Sequence, residues 1–292
     1  MLPYFLIIIS AALWGTMGIY YRGLSAAGFG RFEIMFIRFA ASSLIMLVWL
    51  LLRDRDKLKL RLRDLWIFLG SGVMSIFLMS FAYYTAIDLT SVAVAAVLLY
   101  TAPVFVTVMS VFFFRDRLTP RKTAALLLTV PGCALVSGIV GGGGYPAVGV
   151  LMGLLSGFAY ALYTIFSRAA LNRGYASLTI SFYTFLLAGI AAACFCRPLA
   201  VITRMFSSVP SAAYGISVGL LTGAPAYLLY TKGLEKVPNS EASVIATVEP
   251  LVAAVLSLVL FREPMTLLSG LGMVLILCGV VLINVGVSAN KS

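Results

Sequence analysis

Long apolar runs, each followed by a short polar stretch, recur along the whole 292-residue chain. About ten of these runs are long enough to cross a hydrocarbon core of about 30 Å, which takes roughly 20 helical residues. The runs lack the apolar and polar alternation of a membrane-barrel strand, and backbone groups in lipid must be hydrogen-bonded within their own segment. The pattern predicts helices near residues 3–21, 32–52, 65–87, 91–114, 122–140, 147–167, 177–196, 211–231, 240–261 and 266–287.

The second half of the chain repeats the first. The block from Ser240 to Met265 aligns without a gap on Ala93 to Leu118 when it is moved back by 147 residues. A period this long indicates a duplicated domain. The division expected is a first five-helix repeat at 1–140, a glycine-rich linker at 141–146 and a second five-helix repeat at 147–292.

The number of helices per repeat determines how the repeats are oriented. Five is odd, so the second repeat enters the membrane from the opposite face. The sequence therefore predicts an all-α integral membrane protein with ten transmembrane helices in two inverted repeats, an architecture that many secondary transporters use for alternating access.

Composition and charge support a membrane protein and predict its orientation. With 62% hydrophobic and 11% charged residues, the chain has too few polar side chains to cover a water-soluble globule. The net charge of +11 would suggest nucleic acid as a partner of a soluble protein. Here the Lys and Arg residues divide into 15 on one side of the predicted membrane and 5 on the other. The positive-inside rule places both termini in the cytoplasm, and we expect no nucleic-acid partner.

The densest basic run lies at residues 53–63 and contains six Lys and Arg residues. It either only sets the orientation of the chain or also binds anionic membrane lipid.

The sequence offers little for metal or cofactor chemistry. It contains no histidine, the commonest metal ligand and general base. Its four cysteines lie in or at the ends of apolar helices, where packing explains them. We expect no metal, no cofactor and no catalytic residue.

Aromatic and hydroxyl side chains at matching positions of the two repeats mark a candidate cavity. Tyr83 aligns with Tyr230, Tyr100 with Thr247, and Trp14 with Tyr160. Buried indole and phenol groups need polar partners, so these residues either line a central cavity or pack in the core. The candidate substrate-binding residues are Trp14, Arg38, Tyr83, Tyr100, Tyr160, Tyr163, Tyr230, Ser243 and Thr247.

Two prolines also match across the repeats. Pro103 and Pro250 lie near the middle of the fourth and ninth predicted helices. Proline removes one helix hydrogen bond and frees a carbonyl group, so we expect a helix kink at each.

Arg38 is the seventh residue of the second predicted helix, roughly 9 Å below the membrane surface at about 1.5 Å per residue. Its side chain either snorkels to that surface or points inward, where it would bind a carboxylate or pair with an acid.

Glu249 lies close to the bilayer centre in the ninth predicted helix. At about 100° per residue it faces away from Ser240 and Thr247. It is either a protonated, hydrogen-bonded structural residue or a site for proton coupling or for a substrate amine.

Several motifs carry a resemblance to a known family. They are LWG in the first helix, Arg38, the block AYYTAIDLTSVAVAAVLLYTAPVF, and the block YTKGLEKVPNSEASVIATVEPLVAAVLSLVLFREPMT followed by GMVLILCGVVL. With these motifs the chain resembles the EamA family, the ten-helix branch of the drug/metabolite transporter superfamily, over nearly its whole length.

The resemblance implies an inner-membrane carrier that exports metabolites, amino acids among them, through a central cavity. The chain departs from the family pattern at Asp116, where glutamate is usual. The second half has Tyr183 or Thr184 where a repeat of Arg38 would fall.

The leading hypothesis is a secondary-active exporter of small organic solutes such as amino acids or other carboxylated metabolites. A passive channel would need a continuous polar line or a charged ring, and the paired polar stripes do not supply one. A membrane-embedded enzyme would need clustered catalytic side chains, and the sequence shows only isolated intramembrane charges.

Overall fold

The computed structural model describes residues 2–90, 92–115, 117–136, 146–261 and 267–289. Every regular element within these ranges is helical, which confirms the predicted all-α membrane fold. The α-helices are α1 (Leu2–Gly15), α2 (Met17–Ala26), α3 (Arg31–Arg53), α4 (Leu65–Leu69), α5 (Leu78–Leu89), α6 (Val92–Leu99), α7 (Ala102–Phe114), α8 (Pro120–Val136), α9 (Ala147–Asn172), α10 (Ser177–Ala193), α11 (Pro198–Met205), α12 (Val209–Ser217), α13 (Ala224–Leu234), α14 (Asn239–Ile245), α15 (Val248–Phe261) and α16 (Leu267–Ala289).

Some of these helices are long and apolar enough to cross a membrane on their own. Within the described ranges there are five such stretches, and a sixth if α10 and α11, bent by 105°, form one span. The five are Leu2–Ala26, Arg31–Arg53, Leu62–Leu89, Ala147–Asn172 and Val209–Leu234. The count of ten stays a prediction. The sequence pattern did not predict α11, and the proposed linker, apart from Pro146, lies outside the described residues.

Helices of the first half pack mainly on helices of the second. The main pairs are α3 with α10, α8 with α16, α1 with α13, and α9 with α5. In the predicted repeat α3 corresponds to α10 and α8 to α16. The pairs α1–α13 and α9–α5 are equivalent to each other, because α1 corresponds to α9 and α13 to α5. The core therefore lies between the two halves.

The two halves share an unusual backbone feature. The residues Gly70–Phe77, between α4 and α5, form a π-helical segment, and so do Val218–Gly223, between α12 and α13. The 147-residue shift places the first segment on the second. Hydrophobic periodicity does not reveal where an α-helix widens into a π-helix. Such segments are frequent at functional sites.

Glycines bring each π segment close to the opposite half. A Cβ on Gly72 would lie 2.7 Å from the Thr184 carbonyl oxygen of α10, and one on Gly219 would lie 2.5 Å from the Ala41 Cβ of α3. Both contacts leave no room for a side chain, so glycine is needed at each.

Both predicted kinks are breaks in the helix. The chain leaves helical geometry at Tyr100 and Thr101, just before Pro103 in the first turn of α7. A second break separates α14 from α15, where Pro250 lies in the first turn. Because each proline has no N–H to donate, it fits at the start of the new helix.

A polar contact joins the basic loop after α3 to the turn before α10. Asp64 is buried and accepts hydrogen bonds from Arg173 and, at 2.7 Å, from the Tyr175 hydroxyl. The Tyr183 hydroxyl donates to the Leu58 carbonyl at 2.6 Å. The loop that follows the first long helix is thus fixed to the second half.

Candidate functional site

An aromatic cluster occupies the centre of the fold, between α1, α9 and α13. It consists of Trp14, Tyr160, Tyr163, Tyr227 and Tyr230. The Trp14 ring lies 4.8 Å from Tyr227, 5.2 Å from Tyr230 and 5.9 Å from Tyr160. Edge-to-face packing of this kind gives about 0.5–1.5 kcal/mol per pair beyond area burial. The cluster is a rigid apolar surface that carries polar groups at its edges.

Two of its hydroxyls are satisfied by threonines. Tyr163 shares a 2.6 Å hydrogen bond with Thr231, and Tyr230 shares one of 2.8 Å with Thr164. Within the described part of the chain, the buried Trp14 Nε1 and Tyr160 hydroxyl have no hydrogen-bond partner. Such groups cost about 1–3 kcal/mol when left unsatisfied, so the cluster retains two donors for a solute or water.

A narrow cavity lies against one side of the cluster. It passes between the break before α7 and the helices α9, α13 and α14, with free space for about one water-sized sphere. The lining residues are Tyr100, Ala102, Pro103, Val106, Tyr160, Ala161, Thr164, Tyr230, Ser243, Ala246 and Thr247. In this conformation the free space is too small for an organic solute.

The cavity contains some of the predicted site residues and leaves out others. Tyr100, Tyr160, Tyr230, Ser243 and Thr247 line it. The Ser243 and Thr247 hydroxyls donate within α14 and at its end, to the Ser240 and Val244 carbonyls at 2.9 and 2.5 Å.

The other four predicted residues, Arg38 among them, lie outside the lining. Trp14 and Tyr163 form the back of the aromatic cluster, with Tyr163 6.0 Å from Tyr230. Tyr83 packs at 6.0 Å from the Tyr84 ring.

Arg38 points inward. Its side chain is 6% exposed, so it does not snorkel to the surface. The guanidinium lies 5.7 Å from the centre of the Tyr227 ring, and Nη2 donates a long 3.4 Å hydrogen bond to the carbonyl of Thr222 in the second π segment. Its Nε has no partner among the described residues. A buried guanidinium with a free donor can bind an anion.

The counterpart of Arg38 agrees with the sequence alignment. The Gly72 and Gly219 contacts match Ala41 of α3 with Leu187 of α10, which makes Thr184 the counterpart. The Thr184 hydroxyl shares a 2.6 Å hydrogen bond with Ser71 in the first π segment, as Arg38 bonds to Thr222 in the second. Both residues thus contact the π segment of the opposite half, but only the first half supplies a charge.

Glu249 is partly buried in the first turn of α15. α1 approaches it closely, since a Cβ on Gly15 would lie 2.8 Å from the Glu249 carbonyl oxygen. Its carboxyl group has no hydrogen-bond or ion-pair partner within the described ranges. It interacts electrostatically with Arg38, Tyr83, Tyr160 and Tyr227.

Two ionisable groups, on α3 and α15, therefore lie near one aromatic cluster. We call Arg38 and Glu249 the central charged groups. The prediction that Glu249 faces away from Ser240 and Thr247 assumed one continuous helix with about 100° per residue. The helix break before α15 removes that assumption. Glu249 nevertheless lies outside the cavity lining.

Sequence reasoning missed Tyr227 and Thr164. Tyr227 is 2% exposed and contacts Trp14, Tyr163, Phe185 and Arg38. A signal was present, because Tyr227 lies three residues before Tyr230 and so shares a helix face with it.

The described residues also bear on metal binding. Within these ranges, no three His, Cys, Asp or Glu side chains lie close enough together to hold a metal ion. The site's chemistry is that of an arginine, a carboxyl group, phenols and an indole.

Comparisons with known proteins show what the whole chain is similar to. The chain is 30% identical over 276 residues to an uncharacterized transporter of Archaeoglobus fulgidus, covering 94% of each chain. It is 25% identical to the uncharacterized transporter YxxF of Bacillus subtilis, covering 94% of this chain and 87% of the relative. A solved crystal structure with 17% identity aligns with a TM-score of 0.80 over 99% of both chains and shows the same fold.

A family model matches the chain twice, at residues 1–138 and 147–285. Its description is the EamA-like transporter family. The two matches cover nearly the whole chain. This protein therefore belongs to the EamA-like transporter family and is a multi-pass membrane transporter.

Proposed function

We propose that the protein is a secondary-active carrier that exports small organic metabolites, such as amino acids, from the cytoplasm by alternating access. The narrow cavity between the halves supports this, because a solute would enter and leave it only if the halves move. The substrate would lie against the aromatic cluster, near the central charged groups.

The proposed architecture is two inverted five-helix repeats with ten spans. Its support is the double family match and the packing of corresponding helices on one another. Inverted repeats that meet at a midplane site are a common basis for alternating access.

The proposed substrate class carries a carboxylate. The observation behind this is the buried, inward Arg38 with an unpartnered Nε beside Tyr227. A guanidinium offers a fixed fork that matches a carboxylate in two parallel hydrogen bonds. The phenol and indole faces would hold an apolar or cationic portion of the same solute.

Glu249 is the proposed proton-coupling residue or partner for a substrate amine. A carboxyl group among phenols, without a fixed partner, can exchange a proton as the site changes shape. An acid within a membrane span is costly unless it serves such a function or is paired.

Two other functions, a passive facilitator and a membrane-embedded enzyme, are distinguished by the experiment below. A passive facilitator would need an open polar passage, whereas this cavity is narrow and partly aromatic. A membrane-embedded enzyme would convert its solute chemically.

Counterflow in proteoliposomes separates the three. Vesicles loaded with an unlabelled amino or organic acid are diluted into the labelled acid. A carrier gives transient, saturable accumulation of label. A channel gives only equilibration, and an enzyme gives a changed solute. Simple equilibration of the label, with no transient accumulation for any acid tested, would contradict the proposal.

The proposed location is the inner membrane of the cell, with both termini in the cytoplasm. Its support is the excess of 15 over 5 Lys and Arg residues on the side that includes residues 53–63. That basic loop is also available to anionic lipid.

A further inference from the structure

Buried hydroxyl groups converge between α9, α10 and α13, away from the cavity. This hydroxyl cluster consists of Tyr163, Ser167, Ser177, Ser181 and Thr231. None is more than 4% exposed. Each helix contributes to the cluster from one face.

The cluster is polar throughout and incompletely paired. The hydroxyls of Ser167 and Ser181 both lie in polar contact with the Tyr163 hydroxyl, which shares its 2.6 Å hydrogen bond with Thr231. Neither serine hydroxyl has a hydrogen bond of normal geometry within the described residues. Two fully buried, unsatisfied hydroxyls at one place favour a function over packing alone.

The cluster extends along the helices to the protein surface. Ser177 lies one turn before Ser181 on α10, and its hydroxyl donates to Glu235 at 2.6 Å. Glu235 lies one turn after Thr231, at the end of α13, and is exposed. The same helix face therefore carries a buried hydroxyl and then an exposed carboxylate.

At its inner end the cluster meets the central site. Tyr227 lies one turn before Thr231, and its ring is 5.0 Å from Tyr163. The Arg38 guanidinium lies over the Tyr227 ring. Tyr227 also interacts electrostatically with Glu249.

The described residues at the matching positions of the first half form no such cluster. The repeat alignment matches Tyr163 with Met17, Ser167 with Tyr21, Ser181 with Met35 and Thr231 with Tyr84. Tyr21 and Tyr84 stack at 5.0 Å, and Met35 is buried. Since the same packing is achieved there without serine or threonine, the fold does not require these hydroxyls.

We propose that the hydroxyl cluster is a proton path that connects the Glu235 face to Glu249. Each hydroxyl oxygen accepts a proton and releases its own, with water bridging the longer gaps. One passage moves a proton from the Glu235 carboxyl to the Glu249 carboxylate and leaves the hydroxyls unchanged. At the matching positions of the first half, the stacked tyrosines and apolar side chains block an equivalent proton path. This inference rests on the proposed proton coupling.

Charged and titratable groups surround both ends of the path. Arg38 on α3, Tyr83 on α5, Tyr160 on α9 and Tyr227 on α13 face Glu249. Near Glu235, α13 and the turn after it carry Lys232 and Lys236, and Arg168 of α9 binds the Val237 carbonyl.

Trp14 provides a readout that needs no substrate. It contacts Tyr227 and Tyr160, and it becomes the only tryptophan when Trp49 and Trp66 are changed to Phe. A flash-induced acid jump on the purified protein then reports protonation of the centre through Trp14 fluorescence. Glu249→Gln should abolish the signal.

The path predicts that Ser181→Ala combined with Thr231→Val slows this signal at least tenfold at unchanged amplitude. Ser75→Ala is the matched control, because Ser75 is another fully buried serine with an unpartnered hydroxyl. It should leave the rate unchanged. An unchanged rate in the double variant, or no Trp14 signal in the parent, overturns the path.

A labelling experiment tests the path if the double variant does not fold. In a cysteine-free background, a small thiol reagent should modify Ser181→Cys at least tenfold faster than Met35→Cys, its buried counterpart. Equal rates would overturn the path and leave the proposed function intact. Export with unaltered pH dependence in Glu249→Gln would overturn the proposed coupling instead.

Discussion

Arg38 shows how a single residue gains meaning from its surroundings. On sequence alone, a position roughly 9 Å deep allows snorkelling or an inward orientation. The structure buries the guanidinium between Tyr227 and the Thr222 carbonyl. What decided the outcome was the packing of α3 on the second π segment, which no property of the second predicted helix reveals.

At the same scale, Glu249→Gln should remove the dependence of export on a proton gradient and preserve counterflow. Glutamine keeps the size of the side chain but neither carries nor releases the proton. The measurement is uptake into inverted vesicles with and without an imposed pH gradient. Glu241→Gln is the control, since Glu241 is fixed by a 2.9 Å hydrogen bond from Tyr4 at the start of α1. Gradient-driven export by Glu249→Gln would contradict the assignment.

The helices were largely predictable and their internal breaks only partly so. Apolar run length gave α3 and α9 nearly as observed, and matching prolines indicated where the fourth and ninth predicted helices would bend. The π segments and α11 were missed, because they depend on hydrogen-bond register and on contacts with other helices. The same reason explains why Tyr227 was overlooked although its neighbour Tyr230 was selected.

The glycine contacts of the π segments give a prediction about stability. Gly72→Ala and Gly219→Ala should each destabilise the protein by about 1–3 kcal/mol, because the added methyl group overpacks a helix contact. The midpoint of thermal unfolding in detergent measures this. Gly18→Ala is the matched control, with open space around its Cβ. Equal midpoints for all three variants would show that the halves are not closely packed there.

The Asp64 contact leads to a prediction about the basic loop. Asp64→Asn weakens the hydrogen bonds from Arg173 and Tyr175, so residues 54–64 should exchange amide hydrogen faster, by about tenfold. Hydrogen exchange followed by mass spectrometry measures it. Asp56→Asn serves as control, because Asp56 pairs with Lys59 on the surface. Equal exchange in wild type and Asp64→Asn would mean that the loop is held without Asp64, by contacts such as those of Tyr183 and Thr179 with the Leu58 and Lys57 carbonyls.

For the whole molecule, the charge asymmetry predicts its orientation. In a cysteine-free background, Lys57→Cys should react with an impermeant thiol reagent only from the cytoplasmic side, and Arg31→Cys only from outside. Labelling of intact cells and of inverted vesicles compares the two. Modification of Lys57→Cys in intact cells would reverse the topology and the proposed direction of transport.

The duplicated sequence predicted the whole-molecule symmetry more readily than its functional asymmetry. Arg38 corresponds to Thr184, and the hydroxyl cluster of the second half corresponds to positions that include Met17 and Met35 in the first. The sequence shows that these residues differ, but only the packing shows that they are buried at the contact between the halves. The charge lies in the first half and the hydroxyl cluster in the second half of an otherwise duplicated fold.

The most direct test of the account is transport of a carboxylated substrate by Arg38 variants at equal abundance in proteoliposomes. Arg38→Lys keeps the charge but loses the guanidinium fork, so counterflow should fall at least tenfold, and Arg38→Gln should abolish it. Arg55→Lys, an exposed arginine outside the site, should transport normally. Equal counterflow by wild type, Arg38→Lys and Arg38→Gln would contradict the claim that Arg38 binds the substrate carboxylate.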